Sequence, residues 1–372
     1  EGLGEDELRR AWRVEMGESY SGPVTGGGLV FSTESMEGDR EAAVAIDAAS
    51  GEVRWRAEWE GAMRVPFFAR SNGSWIRATP AYDAASGSLL VAGMRDVLVC
   101  LDAATGGERW RLDFVERFGA PLPAFGFVSS PLVVDGSVVV QAGAGVVRVR
   151  LSDGEVMWRG FEDKGGMNGS AFSSPIVAEL AGRRQLLVQG RDLLGGLDLE
   201  DGSVMWSQAV PAFRGMNIVT PLVWGEGVFT AGYRNGARYY RVGASSEGLG
   251  AEQLWELKAS GYMCSPVEVG GHAYLHLQNQ KMACIDLATG ELRWESGEKF
   301  GKYVSLVAQG GRILGLDERG ELLLMAADPE EFRLLARRSV SEQECWAHVA
   351  VAGGRVYVRE LRGLSAWDWG GQ

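Results

Sequence analysis

Apolar residues along this chain come in short runs bounded by Gly, Asp and Ser, with few stripes at helical spacing. The run Val97-Leu98-Val99-Cys100-Leu101 predicts a buried strand that Asp102 ends. Four times such a run leads into the same phrase, Asp-x-x-x-Gly-x-x-x-Trp: Asp47-Gly51-Trp55, Asp102-Gly106-Trp110, Asp198-Gly202-Trp206 and Asp286-Gly290-Trp294. A fifth copy keeps Gly154 and Trp158 but has Arg150 in the Asp place. Each part predicts a physical task. The Asp carboxylate caps a tight turn, the Gly takes positive φ without a Cβ clash, and the Trp, on the next strand, wedges between neighbouring sheets. Trp12 and Trp255 extend the series, and Leu335 falls where another Trp would. Successive members lie 39 to 55 residues apart, the period of one propeller blade.

A second signature marks the other end of each unit. Small residues and Pro precede a strand in Ser21-Gly22-Pro23, Ala78-Thr79-Pro80, Ser129-Ser130-Pro131, Ser173-Ser174-Pro175, Val219-Thr220-Pro221 and Cys264-Ser265-Pro266. Pro at a strand start loses no ladder bond. Tyr303-Val304-Ser305 and Trp346-Ala347-His348 open two more strands without the Pro. Eight inner strands predict an all-β fold, an eight-bladed β-propeller of four-stranded antiparallel blades. The last unit supplies three strands, and Leu8 to Val14 reads as its missing outer strand. Residues 8–15 would thus complete the last blade, and pairing of the N- and C-terminal strands would close residues 1–372 into one propeller domain.

Composition narrows the functions. With 49 Asp and Glu against 37 Lys and Arg, a net charge of −12 disfavours a nucleic-acid surface, which needs a basic field. No apolar stretch reaches membrane-span length. The chain begins at Glu1 without Met, so a removed leader and an exported or periplasmic location are expected. Cys100 and Cys284 fill matching strand positions, and a Cys264–Cys345 disulfide is neither required nor excluded by the spacing. His272, His276 and His348 lack metal-ligand spacing, so no metal site is expected from them.

Candidate chemistry gathers in the long links between units: Arg56 to Ile76, Arg111 to Phe127, Arg159 to Phe172 and Ser207 to Ile218. In a propeller these links share one face with the turns between the middle strands, so function is expected in an axial funnel there. The candidate ligand-binding residues are Trp75, Arg77, Phe127, Asn168, Arg214, Asn217, Tyr303, Trp346 and His348, with Phe172, Tyr262 and Lys302 beside them. Their guanidiniums, amides and aromatic planes suit a small anionic or hydroxyl-rich ligand. The middle turns carry Arg95, Arg191, Arg234, Arg319 and Arg359. These either converge on an anion or pair with acidic neighbours.

Residues 97–110 and 282–294 resemble the tryptophan-docking repeats of the pyrroloquinoline-quinone (PQQ) type β-propeller of quinoprotein alcohol dehydrogenases. More narrowly, the chain is similar to compact PQQ-binding-like β-propeller repeat proteins of bacteria. The non-enzymatic propeller of the outer-membrane assembly lipoprotein belongs to the same structural group. The resemblance implies the fold and an export route, and two functions follow from it. One is a non-catalytic envelope propeller that binds a small ligand or an envelope protein through its funnel or rim. The other is a PQQ- and Ca²⁺-dependent dehydrogenase of alcohols or sugars. That enzyme would stack the cofactor on Trp75 or Trp346, hold the metal with Asn168 or Asn217, and use Asp96, Asp192 or Glu318 as base. The chain lacks the adjacent-cysteine ring and the haem motif of many such enzymes and is much shorter, so the binding reading is favoured, with no cofactor.

Overall fold

The computed structural model describes residues 2–162, 171–245 and 248–370. Among them, 32 strands form eight four-stranded antiparallel sheets, the blades of an eight-bladed β-propeller. The first blade shows the pattern: Val24–Gly26, Leu29–Met36, Arg40–Asp47 and Val53–Glu60 pair in chain order. In the last, Ala350–Ala352, Arg355–Glu360 and Gly363–Trp369 are completed by Leu8–Glu15. The expected closure is observed, with Leu8 opposite Trp369 and Glu15 opposite Gly363. The chain divides into two compact units, Glu1–Ser170 with Ser341–Gln372, and Ala171–Val340. The first unit holds the last, first, second and third blades, and the second unit holds the fourth to seventh.

The repeated phrase acts between blades. In every blade the outer strand carries a β-bulge one residue before the Trp position, at Arg54, Arg109, Met157, Met205, Leu254, Arg293, Leu335 and Ala11. A bulge twists the strand and re-aims the next side chain. Leu335 is therefore the bulge itself, and Ala336 holds the Trp register, a shift of one from the sequence expectation. Within the first unit, the re-aimed indoles of Trp12, Trp55 and Trp110 donate to the carbonyls of Ala48, Ala103 and Leu151 in the next blade, at 3.0, 3.0 and 2.8 Å. Each acceptor follows the Asp position of its phrase. In the second unit Trp255 and Trp294 donate to Leu287 and Asp328, each at 2.9 Å. Trp206 differs, bonding Gln185 of its own blade over Gly196.

The turn glycine has two reasons to be glycine. Gly106 sits at φ 74°, and a Cβ there would lie 2.7 Å from the Trp55 ring. Gly51, Gly154 and Gly290 meet Trp12, Trp110 and Trp255 in the same way. The turn is itself braced by its Asp. Asp102 Oδ1 accepts from the Ala104 and Thr105 amides and the Thr105 hydroxyl, and Arg109 binds Oδ2 at 2.7 Å. Those bonds, led by Arg109, hold the Asp102 pKa down near 2.

Inner strands are tied by the pre-proline residue. In the first unit Gly22 N–H donates to the Thr79 hydroxyl, and Thr79 N–H to Ser130. In the second, Ser174 donates to Thr220 and Thr220 to Ser265. The small polar residue before Pro thus supplies the acceptor for a backbone group that has no ladder partner. At the closure Arg13 binds Glu360 at 2.8 Å. Arg359 is fully buried, donating to the carbonyls of Gly17 and Thr33 at 2.7 and 3.0 Å. Burial lowers its pKa to about 10. All four cysteines are buried free thiols.

Replacing Trp110 by Ala is expected to cost about 3–5 kcal/mol in chemical denaturation. Phe at the same site keeps most of the packing and should cost about 1 kcal/mol for the lost bond to Leu151, plus the smaller ring. A loss below about 1 kcal/mol for Ala would show that the indole does not lock the blades.

Candidate functional site

In the second unit, four aromatic rings from successive links and turns form a row. Phe213 to Tyr233 is 6.1 Å between ring centres, Tyr233 to Tyr262 is 4.7 Å, and Tyr262 to Tyr303 is 5.6 Å. Cations lie over the rings. Arg214 is 5.2 Å from Phe213, Arg234 is 4.9 Å from Phe213 and 5.5 Å from Tyr233, and Lys302 is 4.9 Å from Tyr303. Such contacts stabilise by about 0.5–1 kcal/mol each at exposed sites. All three cations are exposed and none makes an ion pair among the described residues. Burial, then the neighbouring Tyr303, raises the Tyr262 phenol well above its ordinary value, so it remains neutral.

The row is held by a buried amide. After the outer strand Val204–Ala209, the chain makes a short turn over Phe213–Gly215. Asn217, 1% exposed, donates to the carbonyls of Val210 and Arg191 at 2.6 and 2.9 Å. Phe213 N–H reaches Tyr233 O at 3.3 Å, and Asn235 bonds Pro211. This bracing keeps Arg214 and Arg234 in the left-handed region, at φ 57° and 55°. Non-glycine residues there cost of order 1 kcal/mol and cluster at binding sites.

In the first unit Tyr20 lies face to face with Trp346, 4.3 Å apart and 9° from parallel, with Trp75 edge-on at 5.2 Å. Arg77 sits 5.6 Å over Tyr20 and donates to the carbonyls of Gly73 and Asn72 at 2.7 and 3.2 Å. His348 has an exposed side chain that is still crowded by protein, and this desolvation lowers its pKa below 6.5, leaving it neutral at pH 7.

Two buried carboxylates staple neighbouring blades. Glu41 accepts from the Trp59 indole at 3.0 Å and from Met94 N–H at 3.1 Å, and Asp96 accepts from Gly143 N–H at 2.7 Å. No cation pairs with either among the described residues. Burial raises both to about 7, from 4.5 and 3.8.

The sequence-derived candidates thus divide. Trp75, Arg77 and Trp346 gather around Tyr20, and His348 belongs to the same unit. Arg214, Tyr303, Tyr262 and Lys302 join the row of the other unit. Phe127, 1% exposed, packs in the apolar core against Phe114, and Asn217 is engaged by backbone, so neither offers a free surface. Asn168 lies outside the described residues. Of the middle-turn arginines, Arg359 solvates carbonyls, Arg319 and Arg191 donate to Phe300 O and Arg214 O, and Arg234 belongs to the row. Sequence reasoning missed Phe213, Tyr233 and Tyr20. The dipeptides Phe213-Arg214, Tyr233-Arg234 and Lys302-Tyr303, an aromatic beside a cation in three links and turns, were the signal for two of them.

The family model described as outer membrane protein assembly factor BamB matches residues 5–72 and 70–296. The chain belongs to the BamB family. The outer membrane protein assembly factor BamB of Yersinia pestis is 22% identical over 262 residues, 65% of this chain, and the match spans 62% of that protein. The crystal structure of BamB from Moraxella catarrhalis superposes with a TM-score of 0.70 at 15% identity, covering 97% of this chain and 98% of that one. Quinohemoprotein alcohol dehydrogenase ADHIIG from Pseudomonas putida HK5 gives 0.63 at 14%, over 100% of this chain and 77% of that enzyme. At these identities the two structures share the fold.

Arg234→Gly should relieve backbone strain and raise stability by about 1 kcal/mol in denaturant unfolding. A loss instead would mean that the stack on Phe213 outweighs the strain. The carboxylates predict a pH effect of definite sign. Their folded pKa values lie above the unfolded ones, so the folded state holds extra protons between about pH 4.5 and 7. The stability they confer is full below that window and lost as pH rises through it. Glu41→Gln with Asp96→Asn should flatten this slope in urea unfolding at stepped pH, and an unchanged slope would refute the assignment.

Proposed function

We propose that this protein is a non-catalytic binding propeller of the bacterial cell envelope, periplasmic in location, that engages an envelope protein through the long links of the Ala171–Val340 unit. The observation that carries the reading is the row of Phe213, Tyr233, Tyr262 and Tyr303 under three cations with no acidic partner among the described residues. Aromatic residues and Arg are the side chains enriched at protein interfaces and their hot spots. In a chain of net charge −12, unneutralised guanidiniums favour a partner that brings carboxylates. Family membership supports the envelope location, since the Yersinia pestis relative is named for outer-membrane protein assembly. The Tyr20, Trp75, Trp346 and Arg77 cluster suits a small anionic or hydroxyl-rich group and is the second candidate surface.

The dehydrogenase reading finds less support in these residues. PQQ supplies a redox-active quinone, and it needs an open aromatic plane, a calcium ligand set and a free base. One face of Trp346 is covered by Tyr20, and Asn217 is 1% exposed, its amide N–H groups held by two carbonyls and its oxygen enclosed. Asp96 is buried, and Glu318 accepts from Lys302 N–H at 2.7 Å. Trp346, Asn217, Asp96 and Glu318 therefore do not fit the cofactor, and no catalytic step is assigned to them.

A photo-crosslinking residue at position 213 should give a discrete adduct with an envelope protein in cells. The adduct should vanish with Arg214→Glu and Arg234→Glu and should not form from position 204, on an outer strand. No adduct from 213, together with saturable quenching of Trp fluorescence by PQQ and Ca²⁺, would overturn the reading in favour of the enzyme.

A further inference from the structure

The first unit carries an exposed aromatic that its surroundings hold outward. The link after the first blade makes a 3₁₀ turn over Phe67–Asn72. Val65 and Ala69 on either side are 3% and 2% exposed and pack in one apolar cluster with Met94, whereas Phe67 is 79% exposed. The turn is fastened on both flanks. Val65 N–H donates to the Ser74 hydroxyl at 3.1 Å, Ala69 N–H to Pro66 O at 2.8 Å, and Gly73 N–H to Arg70 O at 3.1 Å. The backbone at Phe67 is thus held between two buried anchors.

Three arginines accompany it. Residues three apart share a face of a 3₁₀ turn, which sets Arg70 beside Phe67. Arg64 precedes the buried Val65, and Arg95 is tied to the start of the same link by its N–H on Gly61 O at 3.1 Å. All three are exposed and make no ion pair among the described residues, although Glu60 lies four residues before Arg64 and Asp39 O accepts from Gly61 N–H at the start of the link. An outward aromatic flanked by unneutralised guanidiniums, in a chain of net −12, is complementary to carboxylates around an apolar socket.

We propose that the Phe67 knuckle, with Arg64, Arg70 and Arg95, is a second protein-docking epitope, and that its partner is an acidic polypeptide segment with an apolar pocket for the ring. This goes beyond the function proposed above, because it concerns the other unit and other residues. The protein would then be a scaffold with two protein-docking surfaces, one on each unit.

Random linear peptides displayed on phage test it. They are selected on the intact protein and counter-selected on Arg64→Glu with Arg70→Glu. Surviving clones should be richer in Asp and Glu than the starting library and carry an apolar residue. Binding of a synthesised clone should weaken about tenfold or more with Phe67→Ser, as for a hot-spot residue. It should be unchanged by Arg214→Ala with Arg234→Ala, which keeps its failure distinct from failure of the other surface. Thermal midpoints of the variants should match the parent, since these side chains are exposed. The proposal is overturned if no clone distinguishes parent from charge reversal, or if the clones are neutral or basic. It is likewise overturned if phosphatidylglycerol vesicles bind the parent and lose that binding with the same changes, because the surface then faces lipid.

Discussion

Everything in this fold hangs on one contact, the indole of one blade lying over the turn glycine of the next and donating to the carbonyl beside the turn aspartate. Strand pairing stabilises each blade within itself but does nothing to fix its neighbour. The indole does both tasks at the junction, burying a flat apolar face and supplying a directed bond of 2.8–3.0 Å. In these blades donor and acceptor recur at fixed places, so one blade carries the plug for the next, whereas Trp206 bonds within its own blade and Ala336 has no indole to offer. The bulge before the Trp position aims the plug, and the glycine at φ 74–77° opens the socket.

That division of labour leaves the long links outside the blade junctions. The turns with the repeated phrase are occupied by structure, whereas Arg214, Arg234 and Lys302 make no ion pair among the described residues. Arg214 and Arg234 show the consequence. They are held in a conformation that costs backbone energy, by Asn217, Arg191 and Asn235, while their own guanidiniums lie over the rings of Phe213 and Tyr233. Strain, exposure and absent counter-charge coincide at the same two residues, the combination expected where a partner supplies what the free protein lacks.

The architecture was legible because it is written many times over. Trp12 could be matched to the incomplete last blade since both ends followed one period, and the pairing of residues 8–15 bears this out. Leu335 was misplaced by one residue because the sequence shows no bulge, only a hydrophobe at the right interval. The site was less legible. Being just before an inner strand placed Phe127 and Asn217 near the expected funnel, but position along the chain does not say whether a side chain turns inward to a core or outward to solvent. Phe127 took the core, and Asn217 took two carbonyls that would otherwise be left without a donor. The row in the second unit was hidden because its rings come from four separate segments, each carrying one aromatic and so showing no periodicity.

The most direct measurement is a double-mutant cycle across one junction, with Trp55→Ala and Gly106→Ala made singly and together and unfolding free energies compared. A Cβ on Gly106 would lie 2.7 Å from the Trp55 ring at φ 74°, so in the parent Ala costs both backbone strain and displacement of the indole. With Trp55 already removed, only the strain remains. The glycine change should therefore cost less in the Trp55→Ala background by about 1 kcal/mol or more. Costs that add to within about 0.5 kcal/mol would mean that indole and glycine act independently and that the repeated phrase does not join the blades.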